Sequence, residues 1–369
     1  MSTVTESAQT RSPDQLDQLI STLRAGRGGD PAIAERLAAA VTRRRRPLQI
    51  QVAGRALSGR TTVLRALALL SAEETTPVDQ PELPDPVLDG DLVIYVLAGA
   101  PQAADHRLLA TLPAGRSVVV LNKADAVGAR WGEAVAAAER YAQELGLPII
   151  PVVASLAART RAGAVDATDL TDLRALAASP DAPSVLAAEL FIGSGADQDT
   201  RRRLIANWDL YGVDSALSAL RADPDLSAAA LIQILHSASG IDPLHRLVHR
   251  RYEQVEAVRG GELLDELVRL AASSLARDGG RGRELIEHYL AGDEALWAGL
   301  CAGLACPAVA HLAAGYRSPS PADADEALAR ATRWRAVVSS DMPPPARRAA
   351  LRVHNGYVRA WERMSSAGL

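Results

Sequence analysis

Residues 48–61 read Leu-Gln-Ile-Gln-Val-Ala-Gly-Arg-Ala-Leu-Ser-Gly-Arg-Thr. Leu48, Ile50 and Val52 alternate with polar neighbours, the period of a strand, and the chain then turns through two glycines into a helical pattern from Thr61 to about Leu70. A strand that stops at glycine and restarts as a helix gathers backbone N–H groups at a helix N-terminus, where positive potential is highest. The spacing Gly54-x-x-x-x-Gly59-Arg60-Thr61 matches the phosphate-loop pattern G-x-x-x-x-G-K-[ST] with arginine in the lysine position. In that pattern Gly54, Ser58 and Gly59 shape the loop, Arg60 brings charge to phosphate, Thr61 offers a hydroxyl to magnesium, and Thr62 completes the phosphate-side set. Without a ligand, the same stretch reads as a Gly-containing strand-to-helix turn of an α/β sheet.

The flanking sequence favours the sheet. Asp91–Leu97 (DLVIYVL), Ser117–Leu121 (SVVVL) and Leu147–Val153 are near-continuous apolar runs, and helical patterns separate them at Asp105–Leu112 and Arg130–Leu145. Such runs fit parallel strands covered on both faces. Residues 71–90 are acidic and Pro-rich, with little periodicity. From about Asp169 strand signals fade into Ala- and Leu-rich helices. Residues 1–13 read as a disordered tail, and Pro13–Thr42 as helix broken by the turn at Gly26–Asp30. The expected organisation is a tail and helical arm over 1–46, an α/β domain with a mostly parallel sheet over 47–165, and an all-helical domain over 166–369.

A second motif carries more information. Strand Ser117–Leu121 ends at Asn122-Lys123-Ala124-Asp125, an N-K-x-D sequence, and Lys123 is the only lysine against a Lys+Arg total of 40. In a chain that has otherwise replaced lysine by arginine, the position that keeps it is marked. The Asp carboxylate suits guanine, whose N1–H and exocyclic amine present two adjacent donors; adenine lacks that pair.

On these residues, over roughly 47–160, the chain resembles a P-loop GTPase of the translation-factor and dynamin class, most closely the divergent dynamin-like GTPases of actinobacteria. The resemblance implies a P-loop NTPase fold, GTP or GDP with Mg2+ as ligands, and Asn122, Lys123 and Asp125 on the base. It places Ser155, within Val153-Ala154-Ser155-Leu156, in a second guanine-contacting loop. It also implies a helical region that passes the nucleotide state to a protein partner.

The departures from that pattern concern hydrolysis. The nearest counterpart of a D-x-x-G segment is Asp79-Gln80-Pro81-Glu82, which leaves Asp79 as the magnesium-side carboxylate and sets Glu82 where glycine would meet the γ-phosphate. Thr75 and Thr76 are both candidates for a switch threonine, and nothing in the sequence selects between them. Arg60 keeps charge but exchanges a compact ammonium for a planar fork. The expectation is a guanine-nucleotide-binding protein with weak or absent hydrolysis and no identifiable catalytic residue. The alternative is a non-catalytic scaffold of the same fold, paired with a second GTPase, with peripheral contact at the inner membrane face.

Charge excludes one class. A formal net charge of −4 argues against a nucleic-acid binder driven by bulk positive charge. Two cysteines, Cys301 and Cys306, are too few for a disulfide framework, and a polar N-terminus without an apolar core leads to the expectation of a cytoplasmic protein. His245 and His249 have zinc-pair spacing, but no H-E-x-x-H glutamate lies between them and several arginines are nearby, so a solvated basic face is expected. The uncharged stretch Ala295–Tyr316 reads as a buried helical hairpin, its Gly299-x-x-x-Gly303 spacing suited to close packing. Arg43–Arg46 read as a solvated helix end, with contact to anionic lipid or an acidic partner as the alternative.

Overall fold

A computed structural model describes residues 15–25, 30–69, 71–80, 84–128, 130–163, 165–179, 187–193, 197–274 and 281–366. The expected 1–13 tail and Glu82 lie outside the described residues. The elements in chain order begin α1 (Gln15–Ala25), α2 (Pro31–Arg45), β1 (Ile50–Gly54), α3 (Arg60–Leu67), β2 (Ala72–Glu74) and β3 (Leu92–Leu97). There follow α4 (Ala103–Leu109), β4 (Ser117–Asn122), α5 (Trp131–Leu145), β5 (Ile149–Val152), α6 (Ala154–Ala162), α7 (Ala167–Ala177) and α8 (Ala188–Gly193). Helices complete the chain: α9 (Gln198–Ala222), α10 (Ala228–Ala238), α11 (Ile241–Ser274), α12 (Arg281–Leu290), α13 (Asp293–Ala305), α14 (Pro307–Ala310), α15 (Ala324–Val338) and α16 (Pro344–Ser366). The chain forms two compact units, residues 48–252 and residues 1–47 with 253–369.

In the first unit five parallel strands lie in the order β2-β1-β3-β4-β5. Strand alternation sends successive side chains to opposite faces. Ile50, Val52, Ile94, Val118 and Val120 pack on one face against Val63 of α3, Ala157 of α6 and Ile241, Leu244 and Val248 of α11. Ala53, Val93, Tyr95, Leu97, Val119 and Leu121 pack on the other, against α4 and α5. Each fully buried Val, Leu or Ile contributes about 1.5–3 kcal/mol, so two covered faces hold the strands firmly in register. β2 sits in the acidic stretch where the sequence shows no period. It is an edge strand with an exposed Glu73 and Glu74, formed by backbone pairing of Ala72–Glu74 with Ile50–Val52.

The expected boundary at 165/166 does not coincide with these units. A third apolar cluster joins Ala124, Val153 and Leu156 to Leu173, Phe191, Leu204, Trp208, Val213 and Leu217, so α7–α10 close over the sheet end rather than founding a separate helical domain. The second unit is helical throughout its described elements, and the N-terminal arm belongs to it. Leu16, Leu19, Leu23, Ile33 and Leu37 of α1 and α2 share one core with Leu263, Leu267, Leu270 and Ile286 of α11 and α12. The arm is therefore a core component, not an appendage. α13 and the Pro307–Ala313 segment that begins with α14 are bent by 79°, and among the described residues no single helix is long and apolar enough to cross a membrane. Gly303 packs directly beneath Ala349 and Val353 of α16, the close approach that the glycine spacing suggests.

Candidate functional site

The carboxyl ends of β1, β3 and β4 converge on one loop system. Gly54 ends β1 with its Cα against the Val96 carbonyl; a Cβ there would lie 2.4 Å from that oxygen and 2.9 Å from Ser58 Oγ. Gly59 caps α3 at φ 88°, and a Cβ on it would stand 2.3 Å from Asn122 Nδ2. Both positions exclude side chains, which fixes why the loop carries glycine there. The backbone N–H groups of Leu57, Gly59, Arg60, Thr61 and Thr62 meet no acceptor among the described residues. Ser58 Oγ, in a residue only 2% exposed, likewise has no partner. A ring of open donors at a helix N-terminus beside a buried, unsatisfied hydroxyl is an arrangement suited to an anion.

Asn122 ties this loop to two others. Its Nδ2 donates to the Ser58 carbonyl at 2.9 Å, and its Oδ1 accepts from the Ala154 N–H at 3.1 Å. The residue is buried, so both bonds form out of competition with water. The 54–61 loop, the end of β4 and the start of α6 are thereby held as one piece. Lys123 follows with φ 55° and an exposed side chain. Asp125 stands in the next turn, with its outer face in solvent. Partial desolvation lifts its carboxyl above the ordinary carboxylate range, and the nearby Asp209 carboxylate adds to the rise. Asp209 sits at a break inside α9, at φ 54° and ψ 173°, and pairs with Arg159 at 3.5 Å. Ser155 lies half-buried in the first turn of α6; of its segment, the Ala154 amide rather than a Ser155 hydroxyl bond meets Asn122. A cavity of about 330 Å³ lies between the two loops, lined by residues that include Arg55, Leu57, Ser58, Gly99, Lys123 and Val127.

On the opposite side, acids from the 72–80 segment contact Ala56, Arg60 and Thr61. Thr61 Oγ1 donates to Glu74 Oε2 at 2.7 Å, and the Arg60 guanidinium lies 3.4 Å from Glu74 Oε1 and donates to the Thr75 carbonyl. Asp79 does not face Thr61. Its Oδ1 accepts instead from the Ala56 N–H at 2.8 Å, inside the loop itself. Thr62 is half-buried in the first turn of α3. Among the described residues there is no cluster of three or more metal-ligating side chains.

A further network supports the loop from behind, through residues to which sequence reasoning assigned no role. Asp105, wholly buried, accepts from Tyr95 Oη at 2.7 Å and from the Gln102 N–H at 2.8 Å, and pairs with Arg55 Nε at 3.1 Å. Burial, followed by the Asp105 contact, pushes the Tyr95 hydroxyl well above its usual range, so it stays protonated and donating. Arg55 is thus anchored through its guanidinium, which also donates to the Ala100 carbonyl at 3.3 Å, while lining the cavity. The sequence carried one sign of this: Asp105 sits three residues after Gln102, in the position of a reciprocal helix cap. His245 and His249 lie together on α11, where burial lowers the His245 pKa and Arg161 lowers it further. Comparison of the chain with protein-family models, with curated proteins and with solved structures found no match.

Proposed function

We propose that the chain binds a guanine nucleotide across the 54–61 loop and the 122–125 turn, on a P-loop NTPase fold with weak or absent hydrolysis. The observation that carries this reading is Asn122, buried and bonded at once to Ser58 and Ala154, which fixes an open ring of N–H donors beside a base-side turn. The loop amides and Ser58 would take phosphate oxygens, and Asp125 would accept from the two donors of guanine. The Lys123 stem would cover the base.

Magnesium fits this donor set in part. Thr61 Oγ1 and Glu74 Oε2 are adjacent hard oxygens of the type that holds Mg2+ beside phosphate, whereas Asp79 is engaged with the loop backbone. Thr61 and Glu74, rather than Thr61 and Asp79, would therefore hold the ion, which would supply charge neutralisation at the phosphates. Without the ion, Glu74 and Asp79 place two carboxylates against the residues that phosphate needs, so nucleotide entry requires those contacts to open.

Ala124 shares an apolar core with Leu204, Trp208 and Leu217, so a change at the 122–125 turn would reach α9 and a protein partner docked on that face. The second reading, a non-catalytic scaffold for another GTPase, draws on the same acid contacts. One experiment separates them: titration with labelled GTP, GDP and ATP, with and without magnesium, beside Asp125→Ala. Micromolar guanine-selective binding that disappears in Asp125→Ala supports the nucleotide reading. No binding at millimolar nucleotide leaves the scaffold.

A further inference from the structure

The second unit holds a charged hollow of about 390 Å³ between α2 and α11, within the roughly 300–1,000 Å³ range of small-ligand sites. Five arginines line it: Arg43, Arg44 and Arg46 from the end of α2, and Arg259 and Arg269 from α11. Two carboxylates, Glu262 and Glu266, oppose them. Glu266 is already shared between Arg36 at 3.0 Å and Arg269 at 2.8 Å. Arg43 and Arg44 have no ion-pair partner among the described residues, and neither has Glu262. The hollow is therefore strongly positive.

Helix dipoles account for some of this charge, because cations in the last turn of α2 complement its C-terminus. Arg45 is explained separately, by its pair with Asp17 at 2.9 Å. Arg259 donates to the Arg46 carbonyl at 2.7 Å, which holds the two helix surfaces together at the rim. Neither account explains why Arg43 and Arg44, which pair with no carboxylate among the described residues, turn to the same hollow as Arg259 and Arg269 of another helix, since like charges brought together repel. The Arg44 side chain crosses α11 at Gly260, where its Nε lies 3.6 Å from the place a Cβ would take. Ala40 and Leu263 form an apolar floor beneath the guanidinium groups. Guanidinium forks converging above a small apolar floor match the oxygens of phosphate better than those of a diffuse acidic surface.

We propose that this hollow is a binding site for a multiply charged phosphate group, carried by a soluble polyphosphate or by a phosphorylated lipid headgroup. It lies wholly within residues 1–47 and 253–369 and stands independently of the nucleotide reading. The test is calorimetric titration of the full chain with inorganic tripolyphosphate, beside Arg43→Ala/Arg44→Ala and Glu262→Gln, with circular dichroism to establish folding. The double variant is expected to bind on the order of a hundredfold more weakly, about tenfold for each guanidinium–phosphate hydrogen bond removed. Glu262→Gln removes a carboxylate from the hollow and is expected to bind severalfold more tightly, a gain that misfolding cannot produce. Tripolyphosphate bound at the 54–61 loop would respond to neither change. Sedimentation with phosphatidylcholine vesicles, with and without a phosphatidylinositol phosphate, then identifies the source. Pelleting only with the phosphorylated lipid, reversed by tripolyphosphate, identifies a headgroup, and tripolyphosphate binding without pelleting identifies a soluble ligand. Equal affinities in the parent chain, the double variant and Glu262→Gln overturn the proposal.

Discussion

The two sides of the 54–61 loop are built differently. Toward β4, Asn122 is buried, bonded through both Nδ2 and Oδ1, and enclosed by apolar packing around Ala124. Toward β2, the contacts are ionic and partly exposed: Glu74 on Thr61 and Arg60, and Asp79 on the Ala56 N–H. Contacts of the first kind keep their geometry whether or not a ligand is present. Those of the second kind exchange readily, because exposed charges have water as an alternative partner. The β4 side is therefore a fixed frame and the β2 side an exchangeable one. Specificity is expected to survive changes that alter affinity.

The strongest way to break that contrast is Asn122→Ala. It leaves a carbonyl and an N–H buried without partners, at a cost of about 3 kcal/mol in urea unfolding, and it frees the loop from α6. A loss below about 1 kcal/mol would show that water reaches these groups and that the frame is not fixed. Next in size, Asp125→Asn exchanges an acceptor pair for a mixed donor and acceptor. Preference for guanosine over xanthosine nucleotide should fall by about two orders of magnitude, or roughly 2.7 kcal/mol, in competition binding. The same preference should fade in acid at a higher pH than an ordinary carboxylate allows, because the raised Asp125 pKa lets the proton return sooner. An unchanged preference would remove Asp125 from the base.

Much of the frame is legible in the sequence. The runs at 91–97 and 117–121 declare buried parallel strands because nothing polar interrupts them, and β3 and β4 begin and end within a residue of those runs. The glycines of the 54–61 loop and Asn122 declare themselves through spacing. The acid side does not, for a physical reason: β2 is held by backbone pairing, which leaves no trace in side-chain pattern. Glu74 therefore looks like one acid among several, while Asp79 draws attention through a motif it satisfies only in part. Domain limits are illegible for a similar reason. An amphipathic helix announces that it has an apolar face, not which partner covers it, and so α1 and α2 read as an arm although their leucines meet those of α11.

The support behind the loop gives the middle of the scale. Tyr95→Phe removes one of the hydrogen bonds accepted by a wholly buried Asp105, which should cost about 2 kcal/mol. It also carries a pH signature. Tyr95 titrates near 10.0 when unfolded and well above that when folded, so its contribution is complete below pH 10 and declines as pH rises further, by about 1.4 kcal/mol per unit. The variant should lose that part of the alkaline slope. Smaller again is Glu74→Gln, which withdraws a negative charge from Thr61 and Arg60. Without magnesium, GTP affinity should rise about tenfold, the equivalent of about 1.4 kcal/mol of relieved repulsion. With magnesium the gain should shrink or reverse, because on the proposed reading Glu74 would then be a ligand. A variant indifferent to both would place Glu74 outside the exchangeable side.

The finest test concerns Leu57, which belongs to neither side. It is 88% exposed at φ 59°, a conformation that costs a non-glycine residue about 1–2 kcal/mol, and its side chain recovers nothing by burial. Glycine would relieve the strain at an unfolded-state entropy cost of about half that size, so Leu57→Gly should stabilise the chain by somewhat under about 1 kcal/mol. Nucleotide affinity then decides what the leucine is for. If affinity is unchanged, the strain serves only to hold the Leu57 N–H in the open ring, which glycine does equally well. If affinity falls while stability rises, the side chain covers a bound ligand at the cavity mouth, and the loop sacrifices stability for that contact.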